Sequence, residues 1–114
     1  MIKVLLSQEI HPAGKQLLED KFEVITAPDT SQETTIKIVK DVNAIILRTA
    51  SKITRQVIEN APELKIISRT GAGVDNIDVQ AASEKGIIVC NQPGINNLSV
   101  CEHAISMMMH LSKQ

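Results

Sequence analysis

Aromatic side chains are almost missing from this chain of 114 residues: Phe22 is the only one, with no Trp and no Tyr. Base-stacking platforms and aromatic sugar-binding sites are therefore out of reach, and the core has to be aliphatic. An excess of one charge is lacking as well. Twelve Lys and Arg stand against 13 Asp and Glu, a formal net charge of −1, which argues against a general nucleic-acid binder with a basic face. No apolar run approaches the roughly 18 residues of a membrane span, so no membrane contact is expected. The opening MIKVLLSQEIH has only a brief apolar stretch before polar residues, unlike a secretion signal. Cys90 and Cys101 are too few for a disulfide framework and lack zinc-ligand spacing. They are expected as buried, reduced thiols of a cytoplasmic protein with no metal site. What is present is 43% hydrophobic residues, enough for one domain with a real core.

Short β-branched runs alternate with segments of helical spacing. The strand candidates are Lys3–Leu6, Glu23–Thr26, Ala44–Leu47, Leu64–Ser68 and Ile87–Cys90. Three of them, AIIL, LKIIS and IIVC, are nearly unbroken apolar runs, which suit strands covered on both faces of a parallel sheet. Pro12 can open a first helix. Thr30 with Glu33 reads as a capping box before a second. Thr54 can cap a short helix limited by Pro62, and Asp78 can cap Val79 to Lys85 with Gly86 as the left-handed exit. Ser99 and Glu102 form another capping box, opening a helix toward Gln114. Right-handed crossovers turn this order into an α/β fold: a flavodoxin-like, doubly wound, five-stranded parallel sheet of order 2-1-3-4-5 with a C-terminal connecting helix.

Ligands of such folds bind beyond the carboxyl ends of the strands. Three segments converge there: Arg48-Thr49-Ala50-Ser51, Arg69 through the glycine loop to Asp75, and Asn91-Gln92-Pro93-Gly94. Two of the chain's three arginines, Arg48 and Arg69, lie at this edge. Guanidinium forks suit a carboxylate or phosphate, although each arginine can equally pair with a surface carboxylate. Gly71 and Gly73 let backbone N–H groups approach an anion, or simply make a tight turn. The segment is not a dinucleotide fingerprint, because Asn76 stands where a third glycine is expected and the helix starts only at Asp78.

Other combinations carry less. His103 and His110 are seven apart, whereas metal-binding helical pairs are usually four apart. Cys101, Glu102 and His103 are consecutive and point about 100° apart on a helix, so they form no relay. A receiver-type signalling domain needs an acidic end to its third strand, where Leu47-Arg48 stand. Val100, Ala104, Met107, Met108 and Leu111 make an apolar stripe, fit for the chain's own sheet or for another domain or subunit.

The segment RTGAGVDNIDVQAASEKGIIVCNQPGINNLSVCEHAISMMMHL, with LRTASKIT before it, resembles the D-isomer-specific 2-hydroxyacid dehydrogenases, and within them the branch acting on 3-phosphoglycerate. The resemblance extends back to Ile2. It implies a substrate-binding domain portion over 1–98 and a connecting helix over 99–114 that leads to an NAD-binding domain. It implies that Arg48, Thr49, Arg69, Gly73, Val74 and Asn96 hold a small anionic 2-hydroxyacid, and that Ala72 lies near the nicotinamide of NAD. Many relatives have a hydroxyl residue at the Ala72 position. The family's cofactor loop and its catalytic Arg, Glu and His follow the connecting helix. None of His11, His103 and His110 matches the catalytic histidine, so this chain alone is expected to be inactive. The resemblance also implies a homo-oligomer formed through the Val100–Leu111 helix.

Overall fold

The computed structural model describes residues 2–7, 12–29, 31–47, 52–69, 76–91 and 106. Strands and helices alternate as β1 (Lys3–Leu6), α1 (Pro12–Glu19), β2 (Glu23–Thr26), α2 (Gln32–Ile38), β3 (Ala44–Leu47), α3 (Arg55–Glu59), β4 (Ile66–Arg69), α4 (Val79–Glu84) and β5 (Ile88–Asn91). All four strand pairings are parallel and the order is β2-β1-β3-β4-β5. This is the flavodoxin-like arrangement expected from the sequence. The last two strands sit further along than the apolar runs alone suggested: β4 begins at Ile66 rather than Leu64 and includes Arg69, and β5 ends on Asn91. Sheet pairing, not hydropathy, fixes those limits.

The topology decides which face each helix covers. β1 to β2 steps one way across the sheet and the three later crossovers step the other way. Right-handed connections therefore put α1 on one face and α2, α3 and α4 on the opposite one. The side chains follow this division with the period of two that a strand imposes. Val4, Leu6, Ala44, Ile46 and Ile66 pack with Leu18 of α1 and with Phe22, the lone aromatic. Leu5, Ile45, Leu47 and Ile67 pack with Val57 and Ile58 of α3 and Ala81 and Ala82 of α4. Both faces of β1, β3 and β4 are thus buried, which is why Val4–Leu6, Ala44–Leu47 and Ile66–Ile67 are apolar without alternation.

Three of the expected helix starts hold and one moves. Pro12 opens α1, Thr54 caps α3 and Asp78 caps α4, with Gly86 leaving α4 at φ +72°. The cap of α2 is Ser31, not the Thr30–Glu33 box. Asp29 accepts from both the Ser31 N–H (2.9 Å) and the Ser31 hydroxyl (2.7 Å), and also from the Thr34 hydroxyl (3.1 Å). That local turn shifts the helix start by one residue. Cys90 is half-buried rather than buried, because it lies on the edge strand β5, where its thiol makes a weak contact to the Ile67 carbonyl at 3.8 Å. Cys101 lies outside the described residues.

Ile67 is fully enclosed, at 0% exposure, in the middle of β4. Ile67→Ala is expected to cost about 2–5 kcal/mol in urea unfolding, the range for a truncated core aliphatic. A loss well under about 1 kcal/mol would mean that the two-faced burial of the sheet is wrong.

Candidate functional site

The strands end together, and the pairing brings Leu47, Arg69 and Asn91 level at the carboxyl edge of the sheet. Neighbouring strands lie only about 4.8 Å apart. Leu47 is the residue before Arg48, so Arg69 is in register with the position from which Arg48 departs. Arg48 itself lies outside the described residues, together with Thr49, Ala72, Gly73, Val74 and Asn96. The same holds for His11, His103, His110 and the Val100–Leu111 helix, apart from Ser106, which is helical and exposed.

Arg69 is half-buried, and its Nε donates to Oδ1 of Asn76 at 2.8 Å. The chain segment that carries Asn76 is anchored by an isolated parallel bridge between Ile53 and Ile77. The Ile53 N–H donates to the Asn76 carbonyl and the Asp78 N–H donates to the Ile53 carbonyl, both at 2.8 Å. Ile53 and Ile77 are themselves buried, at 2% and 6% exposure, in the core cluster on that side of the sheet. The segments following β3 and β4 are therefore tied to each other and to the core.

Each bridge residue is followed at once by a helix cap. Thr54 Oγ1 accepts the Val57 N–H at 3.4 Å, and Asp78 Oδ1 accepts the Ala81 N–H at 2.9 Å. Side chains then link the two helices these caps begin. Arg55 makes a two-pronged contact to Glu84, at 3.1 and 3.3 Å, and its Nε lies 4.0 Å from Asp78. The hydrogen bonds from Arg55, and then its charge, hold Glu84 below its ordinary carboxylate value, and the same contact pushes Arg55 up.

The two described arginines of this region thus have opposite partners. Arg55 faces a carboxylate and is neutralised. Arg69 faces an amide oxygen, which orients it and leaves its positive charge uncompensated by that partner. A cavity of about 340 Å³ opens over the bridge, lined by Lys52, Ile53, Thr54, Asn76, Ile77 and Asp78. Its size is at the low end for small-molecule sites. Its polar wall combines the Lys52 ammonium, the Thr54 hydroxyl and the Asn76 amide with the Asp78 carboxylate, and Arg69 is not among its lining residues.

Of the residues singled out from sequence, the structure places Arg69 at the expected edge. Asn76 was missed as a contributor, because in sequence it stands only as a departure from a glycine motif. Its role depends on the return of the chain past Arg69. Lys52 gave no signal beyond being one of several lysines.

Comparison with known proteins gives the family and the fold. Residues 4–109 match the family described as D-isomer specific 2-hydroxyacid dehydrogenase, catalytic domain. The chain is 42% identical over 109 residues to the D-3-phosphoglycerate dehydrogenase of Methanocaldococcus jannaschii, covering 96% of this chain and 21% of that protein. It is 43% identical over 113 residues to the D-3-phosphoglycerate dehydrogenase of a Synechocystis species, covering 99% of this chain and 20% of that protein. The chain thus spans about a fifth of the length of these relatives. Among solved structures, it is similar to the NAD+-bound 3-phosphoglycerate dehydrogenase of Entamoeba histolytica. There the TM-score is 0.75 and the identity 32%, over 94% of this chain and 38% of that one.

The contact between Arg55 and Glu84 has a pH signature. The hydrogen bonds and charge of Arg55 hold the carboxyl of Glu84 below its ordinary value in the folded chain. Its contribution is therefore fully present above that value and is lost as pH falls through the lower, folded one. The melting temperature of Glu84→Gln is expected to fall less steeply between about pH 5 and pH 3 than that of the parent. Identical slopes would show that the pair contributes nothing to stability.

Proposed function

The chain belongs to the D-isomer specific 2-hydroxyacid dehydrogenase family, and from that premise we propose that it is the substrate-binding portion of an NAD-dependent D-3-phosphoglycerate dehydrogenase. The observation that carries this reading is Arg69. It stands at the end of β4, level with the departure point of Arg48, and its guanidinium is held by a neutral partner. The identity of about two fifths to the two D-3-phosphoglycerate dehydrogenases supports the phosphorylated substrate.

In this reading Arg69 and Arg48 bind the carboxylate or phosphate of the substrate, Thr49 and Asn96 contribute polar contacts, and the amides of Gly73 and Val74 take the carboxylate. Ala72 lies by the nicotinamide. Bound NAD would supply the hydride acceptor for carbon 2, with the hydroxyl proton passing to a base in the rest of the enzyme. No cradle for a dinucleotide appears among the described residues, and the cavity of about 340 Å³ is small for one. The contribution of this chain is to fix the substrate so that carbon 2 faces the cofactor, which lowers the barrier by removing orientational freedom beforehand. The hydride-transferring machinery lies in the rest of the enzyme, and this chain alone is inactive. The same reading makes the enzyme a cytoplasmic one serving serine biosynthesis, and a homo-oligomer through the Val100–Leu111 helix.

Titration of the chain with 3-phosphoglycerate, with sulfate and unphosphorylated D-glycerate as controls, tests the proposal by NMR. 3-Phosphoglycerate is expected to bind more tightly than either control. A charged hydrogen bond is worth about 1.5–3 kcal/mol, so Arg69→Ala is expected to weaken binding by roughly 10- to 150-fold. Equal binding of sulfate, or an Arg69→Ala variant that binds like the parent, would remove the substrate assignment.

A further inference from the structure

Asn76 is held by its backbone and holds Arg69 by its side chain. Its carbonyl accepts the Ile53 N–H at 2.8 Å as part of the bridge, and its Oδ1 accepts the Arg69 Nε–H at 2.8 Å. Both residues are half-buried. A guanidinium is planar and rigid, so a bond at Nε fixes the plane of the whole group and with it the direction of the outer edge formed by the two Nη nitrogens. An arginine left to rotate would have to surrender that freedom on binding an anion. Arg69 has surrendered much of it beforehand.

The chemistry of the partner matters as much as its position. Aspartate in place of Asn76 would also accept from Nε, but its charge would offset the one an anion needs. Serine is too short, and glutamine carries an extra methylene between the same two fixed points. Asparagine is the side chain of the right length that accepts a hydrogen bond and adds no charge. The Arg55 pair shows the contrast within one molecule, since Glu84 gives that guanidinium a charged partner.

We infer that Asn76 is a positioning residue: through its bond to Nε it presents the Arg69 guanidinium, still cationic, to a carboxylate or phosphate at the carboxyl edge of the sheet. The inference rests on the reading of Arg69 as a ligand of the substrate anion. It does not rest on Asn76 holding the loop in place. That work is done by the two backbone bonds of the bridge, the buried Ile53 and Ile77, and the Asp78 cap. Removing the Asn76 side chain leaves these anchors in place, and the sheet amides report whether the fold is kept.

The test compares the 114-residue chain with Asn76→Ala and Asn76→Asp. It follows the Arg69 Nε–H resonance, the sheet amides, and binding of both inorganic phosphate and 3-phosphoglycerate. In the parent the Nε–H is expected to be protected from exchange. Asn76→Ala is expected to lose that protection and to bind both anions roughly 3- to 10-fold more weakly, the worth of one ordinary hydrogen bond, while the sheet amides stay in place. Asn76→Asp is expected to keep the Nε–H protected and still bind both anions more weakly, which a purely structural role would not produce. Phosphate affinity unchanged in Asn76→Ala, a protected Nε–H in that variant, or an Arg69 resonance that neither anion shifts in the parent would each overturn the inference. If the parent binds phosphate at Arg69 without preferring 3-phosphoglycerate, the substrate assignment fails, and a loss of phosphate binding in Asn76→Ala still upholds the role of Asn76.

Discussion

Two backbone hydrogen bonds, one on each side of Ile53, hold together the carboxyl edge of this sheet. The bridge they make with Asn76 and Asp78 brings the segments after β3 and β4 side by side beyond the end of the sheet. Parallel strands diverge into separate connections at their carboxyl ends, and such loops ordinarily move independently. Here the two are joined, and the Ile53 and Ile77 side chains root the joint in the core. The next residue on each side caps a helix, Thr54 for α3 and Asp78 for α4. One short contact therefore sets the start of two helices and the position of Asn76.

The distribution of charge around the bridge separates structure from binding. Arg55 is consumed by Glu84, with Asp78 nearby, and so fastens α3 to α4 on an exposed surface where such a pair contributes little to stability. Arg69 is oriented by an uncharged group. Among the described residues no carboxylate pairs with Arg69, and a charged guanidinium is costly to keep partly buried without a counter-ion. In the proposed function an anion completes the arrangement.

Much of the architecture was legible in the sequence for reasons that are local. The run AIIL read as a doubly covered strand because both neighbours of each residue are apolar, and both faces of β3 are buried; IIVC read the same way but lies on the edge strand β5, where Ile88 is exposed and Val89 and Cys90 are half-buried. Thr54, Asp78 and Gly86 announced their helix boundaries because capping involves residues three apart. The start of α2 was misplaced by one residue because Asp29, outside the four-residue motif, recruits Ser31. Arg69 was legible by type and position. Asn76 was not, since its partners are Ile53, 23 residues earlier, and Arg69, reached by a return of the chain. Nothing in local pattern encodes either contact, and the bridge itself is a product of tertiary packing.

Amide hydrogen exchange at Ile53 and Asp78 tests most directly whether the carboxyl edge is a single preformed unit. Their N–H groups make the two bridge bonds, both at 2.8 Å. If the edge is preformed, these two amides exchange as slowly as those of Ile46 and Ile67 in the central strands and open only with global unfolding. Exchange at the rate of an exposed loop, in a chain whose central strands remain protected, would contradict the account.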